Sequence, residues 1–149
     1  MGAVSRSRCR ELALQLLYQA EFVGHREGEV ARFWGHFYGR GKVPPYLADL
    51  VAGVAAHQQE LDDLIKKHSE HWRLERMVAV DRNLLRLAVY ELLYHPEIPA
   101  KVVINEAVEL AKRYGTELSG AFVNGILDRI RLALGREVEP REQQKAPAD

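Results

Sequence analysis

With 149 residues, 47% of them hydrophobic and 28% charged, the chain can bury a core of its own; it lacks the polarity of a disordered segment and the room for two large domains. Its 21 basic and 21 acidic side chains cancel, so no whole-molecule field draws it to nucleic acid, although residues 1–10 hold Arg6, Arg8 and Arg10 and no acid. A single cysteine, Cys9, excludes an internal disulfide or a cysteine-built metal centre, and no run approaches the roughly 20 apolar residues of a membrane span or the core of a secretory signal, so the expected location is the cytoplasm.

Glycine and proline punctuate a succession of helical periods with no sustained apolar-polar alternation, which predicts six helices and no sheet. The first runs from Ser5, a ready N-cap, to Phe22, with Cys9, Leu12, Ala13, Leu16, Leu17 and Ala20 at three- and four-residue steps, and ends near Gly24. A weaker second segment covers Glu27 to Tyr38, with Val30, Phe33, Trp34 and Phe37 on its apolar side. The turn Gly39-Arg-Gly-Lys42 breaks it. Pro44 and Pro45 suit the opening turn of a third helix, whose stripe Leu47, Leu50, Val51, Val54, Leu61, Leu64 and Ile65 lasts about 25 residues before lapsing over Ser69 to Arg76.

Asp81 is the expected cap of a fourth helix that is apolar nearly all round and therefore buried on most sides. His95-Pro96 stops it. Pro99 restarts the chain as a fifth helix to about Arg113, with Val103, Ile104, Ala107, Val108 and Ala111 inward and Glu109 and Arg113 at ion-pair spacing outside. Gly115 closes that helix. Thr116 or Ser119 starts the sixth, which carries Phe122, Val123, Ile126, Leu127 and Ile130 inward to about Leu134, with Gly120 and Gly125 permitting close helix approach. The expected organisation is an N-terminal bundle over 1–72, a C-terminal bundle over 73–135 and a disordered polar tail over 136–149.

No phosphate loop, dinucleotide fingerprint, nucleophile elbow or paired metal-ligand set is present. Gly39 to Lys42 is too short for a phosphate loop and follows no strand. His68 and His71 have no third ligand at a recognisable spacing, and none of the carboxylates pairs in a way that suggests catalysis. No catalytic residue, metal or cofactor is expected. On a helical wheel at about 100° per residue the first helix centres its core stripe on Cys9, Leu16 and Ala20. Arg6, Arg8 and Arg10 then flank that stripe, while Leu14 and Tyr18 project away from it beside Glu11, toward either the second bundle or a partner.

Four blocks carry a resemblance: Cys-Arg-Glu-Leu-Ala-Leu-Gln-Leu-Leu-Tyr at 9–18, Asp-Arg-Asn-Leu-Leu-Arg-Leu-Ala-Val-Tyr-Glu-Leu at 81–92, Ile-Pro-Ala-Lys-Val-Val-Ile-Asn-Glu-Ala-Val-Glu-Leu-Ala-Lys at 98–112, and Phe-Val-Asn-Gly-Ile-Leu-Asp at 122–128. In that order they resemble the NusB family of transcription antitermination factors. The resemblance implies an all-α fold of two packed three-helix bundles. It also implies binding of boxA-type single-stranded RNA together with the ribosomal protein NusE, within an RNA polymerase antitermination complex that reads through terminators, notably on ribosomal RNA operons.

Carried over by position, the resemblance assigns RNA contact to Arg6, Arg8, Arg10, Gln15 and Tyr18 of the first helix and to Lys101, Tyr114 and Phe122 of the second bundle. It assigns NusE contact to Tyr18, Glu75 and Asp81. Ser7 interrupts the family's arginine run, and Leu118 stands where relatives can carry an acid. The fold also occurs as the RNA-binding domain of ribosomal RNA methyltransferases; the length of this chain points away from that enzyme. The competing expectation is a protein-only helical scaffold of the same fold without RNA affinity.

Overall fold

A computed structural model of the chain describes residues 4–39, 41–70 and 72–136. Arg40 of the glycine-flanked turn, His71 of the spaced histidine pair and the tail from residue 137 onward lie outside the described residues. Six α-helices follow one another: α1 Arg6–Val23, α2 Glu29–Tyr38, α3 Pro45–His68, α4 Ala79–Tyr94, α5 Ala100–Tyr114 and α6 Ser119–Ala133, with one 3-10 turn at Leu74–Arg76 between α3 and α4. There is no strand among the described residues.

Local chemistry explains most of the boundaries. Ser5 caps α1, its hydroxyl oxygen accepting the Arg8 amide at 3.0 Å, and Gly24 ends the helix at φ 75°. The second helix starts at Glu29 and not Glu27, because Gly28 takes up a left-handed conformation at φ 74° that a helical residue cannot hold. Pro45 opens α3, and prolines precede both α3 and α5. Asp81 is not the cap of α4. The helix begins two residues earlier behind Val78, and Asp81 is buried in its first turn, where Ser119 hydrogen-bonds the carboxylate and the Oδ1 atom has no partner.

Every residue from Leu84 to Leu92 is buried, so α4 is the central element, touching α1, α3, α5 and α6. Its three polar members in that span each meet a partner from another helix. Arg86 donates to Asp62 of α3 at 2.7 and 3.0 Å, Tyr90 to Asp49 at 2.9 Å, and Glu91 accepts from Arg10 of α1. At Gly53 a methyl group would stand 2.1 Å from the Tyr90 ring, so only glycine lets α3 lie over that aromatic. The buried apolar residues form one cluster drawn from all six helices.

Three further expectations are corrected. Phe37, placed on the apolar side of α2, is exposed because α2 packs only lightly on its neighbours. Arg113 does not pair with Glu109; it reaches across to Glu11 at 3.0 Å, leaving Glu109 to Lys112. Gly120 is buried beside Lys112 of α5, but Gly125 faces no neighbouring helix closely.

Candidate nucleic-acid interface

Long side chains link α1 to α5. Arg10 donates to Glu106 at 3.0 Å, and one residue further along α1 Glu11 accepts from Arg113 and from the Tyr114 hydroxyl near the end of α5. Arg10 is the innermost member of this seam. It is 5% exposed, and its guanidinium grips both oxygens of Glu91 at 2.8 to 3.0 Å, while the Tyr46 hydroxyl donates to the same carboxylate. Burial works against the charged guanidinium, but Glu91 outweighs it and holds the Arg10 pKa above its ordinary value. An arginine so enclosed cannot reach a phosphate from outside. Arg10 is therefore removed from the RNA-facing set, for the physical reason that its helix position points at α4.

Positions 8, 11, 15 and 18 recur at helical spacing on the neighbouring face of α1. There Arg8, Glu11, Leu14, Gln15 and Tyr18 join Val80 of α4 and Tyr114 of α5 around an open groove of about 340 Å³. Four of the eight residues expected at an RNA surface, Arg8, Gln15, Tyr18 and Tyr114, are thus brought together. Arg8 is exposed, donating to Glu11 at 2.7 Å and to the Tyr38 hydroxyl at 3.1 Å. Glu11 is held below the usual carboxylate range by the Tyr114 hydroxyl, against a smaller opposing effect of burial and with help from Arg8 and Arg113. Tyr18 is 42% exposed at the rim, its ring edge-on to Phe22 at 5.3 Å. Leu14 supplies the apolar floor.

The other assigned residues lie outside the groove. Arg6 stacks over Tyr46 at 5.1 Å and acts on Glu97 in the connection into α5, so it marks the far end of the same seam. Lys101, in the first turn of α5, sits about 20 Å along the helix from Tyr114, given 1.5 Å per residue. Phe122 of α6 is half-buried and meets Trp72 edge to face at 5.7 Å.

The two acids assigned to a protein partner have different surroundings. Glu75 is exposed, with Arg73 at 3.2 Å and Lys66 and Arg76 also acting on it, so its charge is compensated locally. Asp81 is buried, and burial pushes its pKa up while Ser119 opposes the shift. It offers no surface acid to a basic partner. Sequence reasoning missed Glu11, Tyr38, Tyr46 and Trp72; Glu11 had a signal, since it shares the face of Arg8, Gln15 and Tyr18. Among the described residues no group of three His, Cys, Asp or Glu could hold a metal ion, and no helix is long and apolar enough to cross a membrane.

This architecture has close counterparts. The NusB family model matches residues 7–131. A transcription antitermination protein NusB from Sorangium cellulosum is 52% identical over 137 residues, covering 91% of this chain and 96% of its own, and one from Myxococcus xanthus is 48% identical over 141 residues, covering 91% and 99%. The solved T. maritima NusB superposes with a TM-score of 0.81 at 40% identity over 97% of this chain and 99% of its own. A crystal structure of antitermination factors NusB and NusE in complex with double-stranded RNA matches with a TM-score of 0.75 at 31% identity over 87% and 99%. The chain belongs to the NusB family.

Proposed function

We propose that this chain is a cytoplasmic transcription antitermination factor that binds boxA-type RNA together with NusE, the small-subunit ribosomal protein, and supports RNA polymerase read-through, notably of ribosomal RNA operons. It works by binding alone and carries no chemistry of its own. The observation that carries this reading is the groove of Arg8, Gln15, Tyr18 and Tyr114, which combines a guanidinium, an amide and two aromatic rings around an apolar floor. Single-stranded RNA is recognised by that combination: cations hold the backbone while rings and polar edges take unstacked bases. Phosphate would compete with Glu11 for Arg8, and Arg6 and Lys101 extend the cationic track along the α1–α5 seam. Phe122 adds an aromatic outside the groove. Tyr18, at the rim, is the residue assigned to NusE as well as RNA, with Glu75 as a secondary contact.

Fluorescence anisotropy of short RNAs, with NusE present, tests this. If Arg6 and Arg8 each neutralise one phosphate, the log-log salt slope of Arg6→Ala/Arg8→Ala is shallower than wild type by about 1.4, at roughly 0.7 per contact on single strands. Adding Arg10→Met with Glu91→Leu, which leaves no unpaired charge in the buried contact, keeps the slope where it is. Tyr18→Asp impairs assembly with RNA and NusE while leaving thermal unfolding unchanged. A protein-only scaffold is the competing reading, and the pairing of Arg8 with Glu11 and Tyr38 is the feature that favours it. Identical salt slopes for wild type and the double variant, with recovery of partners from extract unaffected by nuclease, decide for that reading.

A further inference from the structure

The connection between α3 and α4 holds an aromatic that none of the preceding assignments uses. Trp72 is 58% exposed, yet its backbone is fixed: its amide donates to the Ser69 carbonyl at 3.0 Å, and the buried Ser69 hydroxyl donates back to the Trp72 carbonyl at 2.9 Å. Phe122, packed on the hydrophobic core, stands at 83° to the indole. An edge-to-face partner at 5.7 Å leaves no slot between the rings, but it braces the indole of a residue that is still more than half exposed. Contiguous exposed apolar surface marks binding sites, whereas singly scattered apolar residues need no explanation. Leu118, 73% exposed, stands immediately before α6, four residues ahead of Phe122. The last turn of α3 and this connection together, residues 66–78, hold Lys66, Lys67, Arg73 and Arg76 against Glu70 and Glu75, a local excess of positive charge, and Lys66, Arg73 and Arg76 all act on Glu75.

We propose that Trp72 is a base-stacking platform for single-stranded RNA, with an unpaired nucleobase lying on the indole, Phe122 holding that indole in place, and Arg73 and Arg76 on the flanking phosphates. A flat aromatic face bordered by guanidinium groups suits a nucleobase joined to phosphate, and the excess of cations selects a polyanion over a basic protein. Trp72 is then the added residue that touches RNA, and Phe122, already assigned to the RNA surface, also positions it. This inference rests on the RNA-binding reading and adds a second contact area outside the groove.

The chain has two tryptophans, and Trp34 is buried in α2, so a Trp34→Phe background with unchanged circular dichroism makes emission report Trp72 alone. In that background, with NusE present, a short uridine RNA quenches and shifts the emission, whereas an abasic strand of equal length and inorganic polyphosphate do not. In the otherwise wild-type chain Trp72→Ala weakens RNA binding about 5- to 150-fold, the range expected for one lost base stack, and Trp72→Phe restores most of it. Equal quenching by the abasic strand, or Trp72→Ala binding RNA as wild type does, overturns the platform while leaving the RNA-binding reading in place. An emission change produced by NusE alone and unaffected by RNA assigns Trp72 to protein docking and equally overturns it. Failure of the wild-type chain to bind any RNA removes the parent reading and this one together.

Discussion

The two ends of the contact between α1 and α4 are built from the same chemistry with its direction reversed. At one end α1 supplies the cation, and Arg10 enters α4 to meet Glu91; at the other α1 supplies the anion, and Glu21 accepts from Arg82 at 2.8 and 2.9 Å, from Arg86 at 3.3 Å and from Asn83 at 3.0 Å. Because position 10 meets 91 and position 21 meets 82 to 86, the helices run antiparallel, and the reversal of sign specifies that direction. A parallel arrangement would set Arg10 near Arg82 and Glu21 near Glu91, placing like charges together in a poorly solvated interface.

The ends differ in burial, and this separates their consequences. Glu91 is 1% exposed and Arg10 5%, so removing Arg10 leaves a buried carboxylate with no cation and only the Tyr46 hydroxyl, and removing Glu91 leaves a buried guanidinium with only the outer acid Glu106. Glu21 and Arg82 keep some contact with solvent, and Arg82 has fallback acceptors in the carbonyls of Leu74 and Met77. The first end is an internal lock; the second is a surface latch.

The largest expected effect comes from breaking the lock. Arg10→Met strands Glu91 and costs about 3 to 5 kcal/mol, the range for an orphaned buried charge, which denaturant unfolding measures directly. Arg10→Met/Glu91→Leu recovers most of that loss, because an apolar pair of similar volume needs no solvation. A double variant no more stable than the single one would show that the geometry of the contact, and not the stranded charge, is what matters.

Glu21→Gln is smaller, about 1 to 2 kcal/mol, since each hydrogen bond to an ionised group is worth more than a neutral one but the site is partly wet. The Arg82 hydrogen bond, against the opposing effect of burial, lowers the Glu21 pKa. A lowered carboxylate contributes stability above the unfolded value of about 4.3 and loses it as pH falls through the folded value. Wild type and Glu21→Gln should therefore converge in thermal stability on acidification below about pH 4. A gap that persists there would place the effect in packing.

The smallest effect lies at the buried end, at His95, which contacts Asp49 at 2.6 Å and Glu97 at 2.9 Å and stands edge-on to Tyr46. Burial pushes the imidazole down, but Glu97 and Asp49 together raise it above its ordinary value. A raised histidine contributes its stability fully below the unfolded value of about 6.5 and loses it as pH rises through the folded one. His95→Gln is expected to cost at most about 1 kcal/mol at pH 6, with the deficit fading toward pH 8. A deficit that grows with pH would mean that neutral His95 is the stabilising form.

Much of this molecule was determined by the sequence alone. Helix periods, Ser5, Gly24, Pro45 and Gly115 fix local boundaries through backbone geometry, and the near-continuous apolar run at 84–92 can only be satisfied at the centre of an all-helical body. The four family blocks and the face carrying Arg8, Gln15 and Tyr18 were legible for the same reason: each lies in one helix, or in one helix with the two residues before it. Only the tertiary structure decided what faces what across helices. Arg8 and Arg10 are two residues apart on one strand of charge, yet one is at the surface and the other is sealed against Glu91, 81 positions away. Asp81 carries the residue type and place of a cap but lies under Ser119, and Trp72, in a stretch with no helical period, gains meaning only when α6 brings Phe122 against it. A wheel projection gives direction around one axis. Burial depends on how close the next axis lies, and that distance is set by the packing of the whole core.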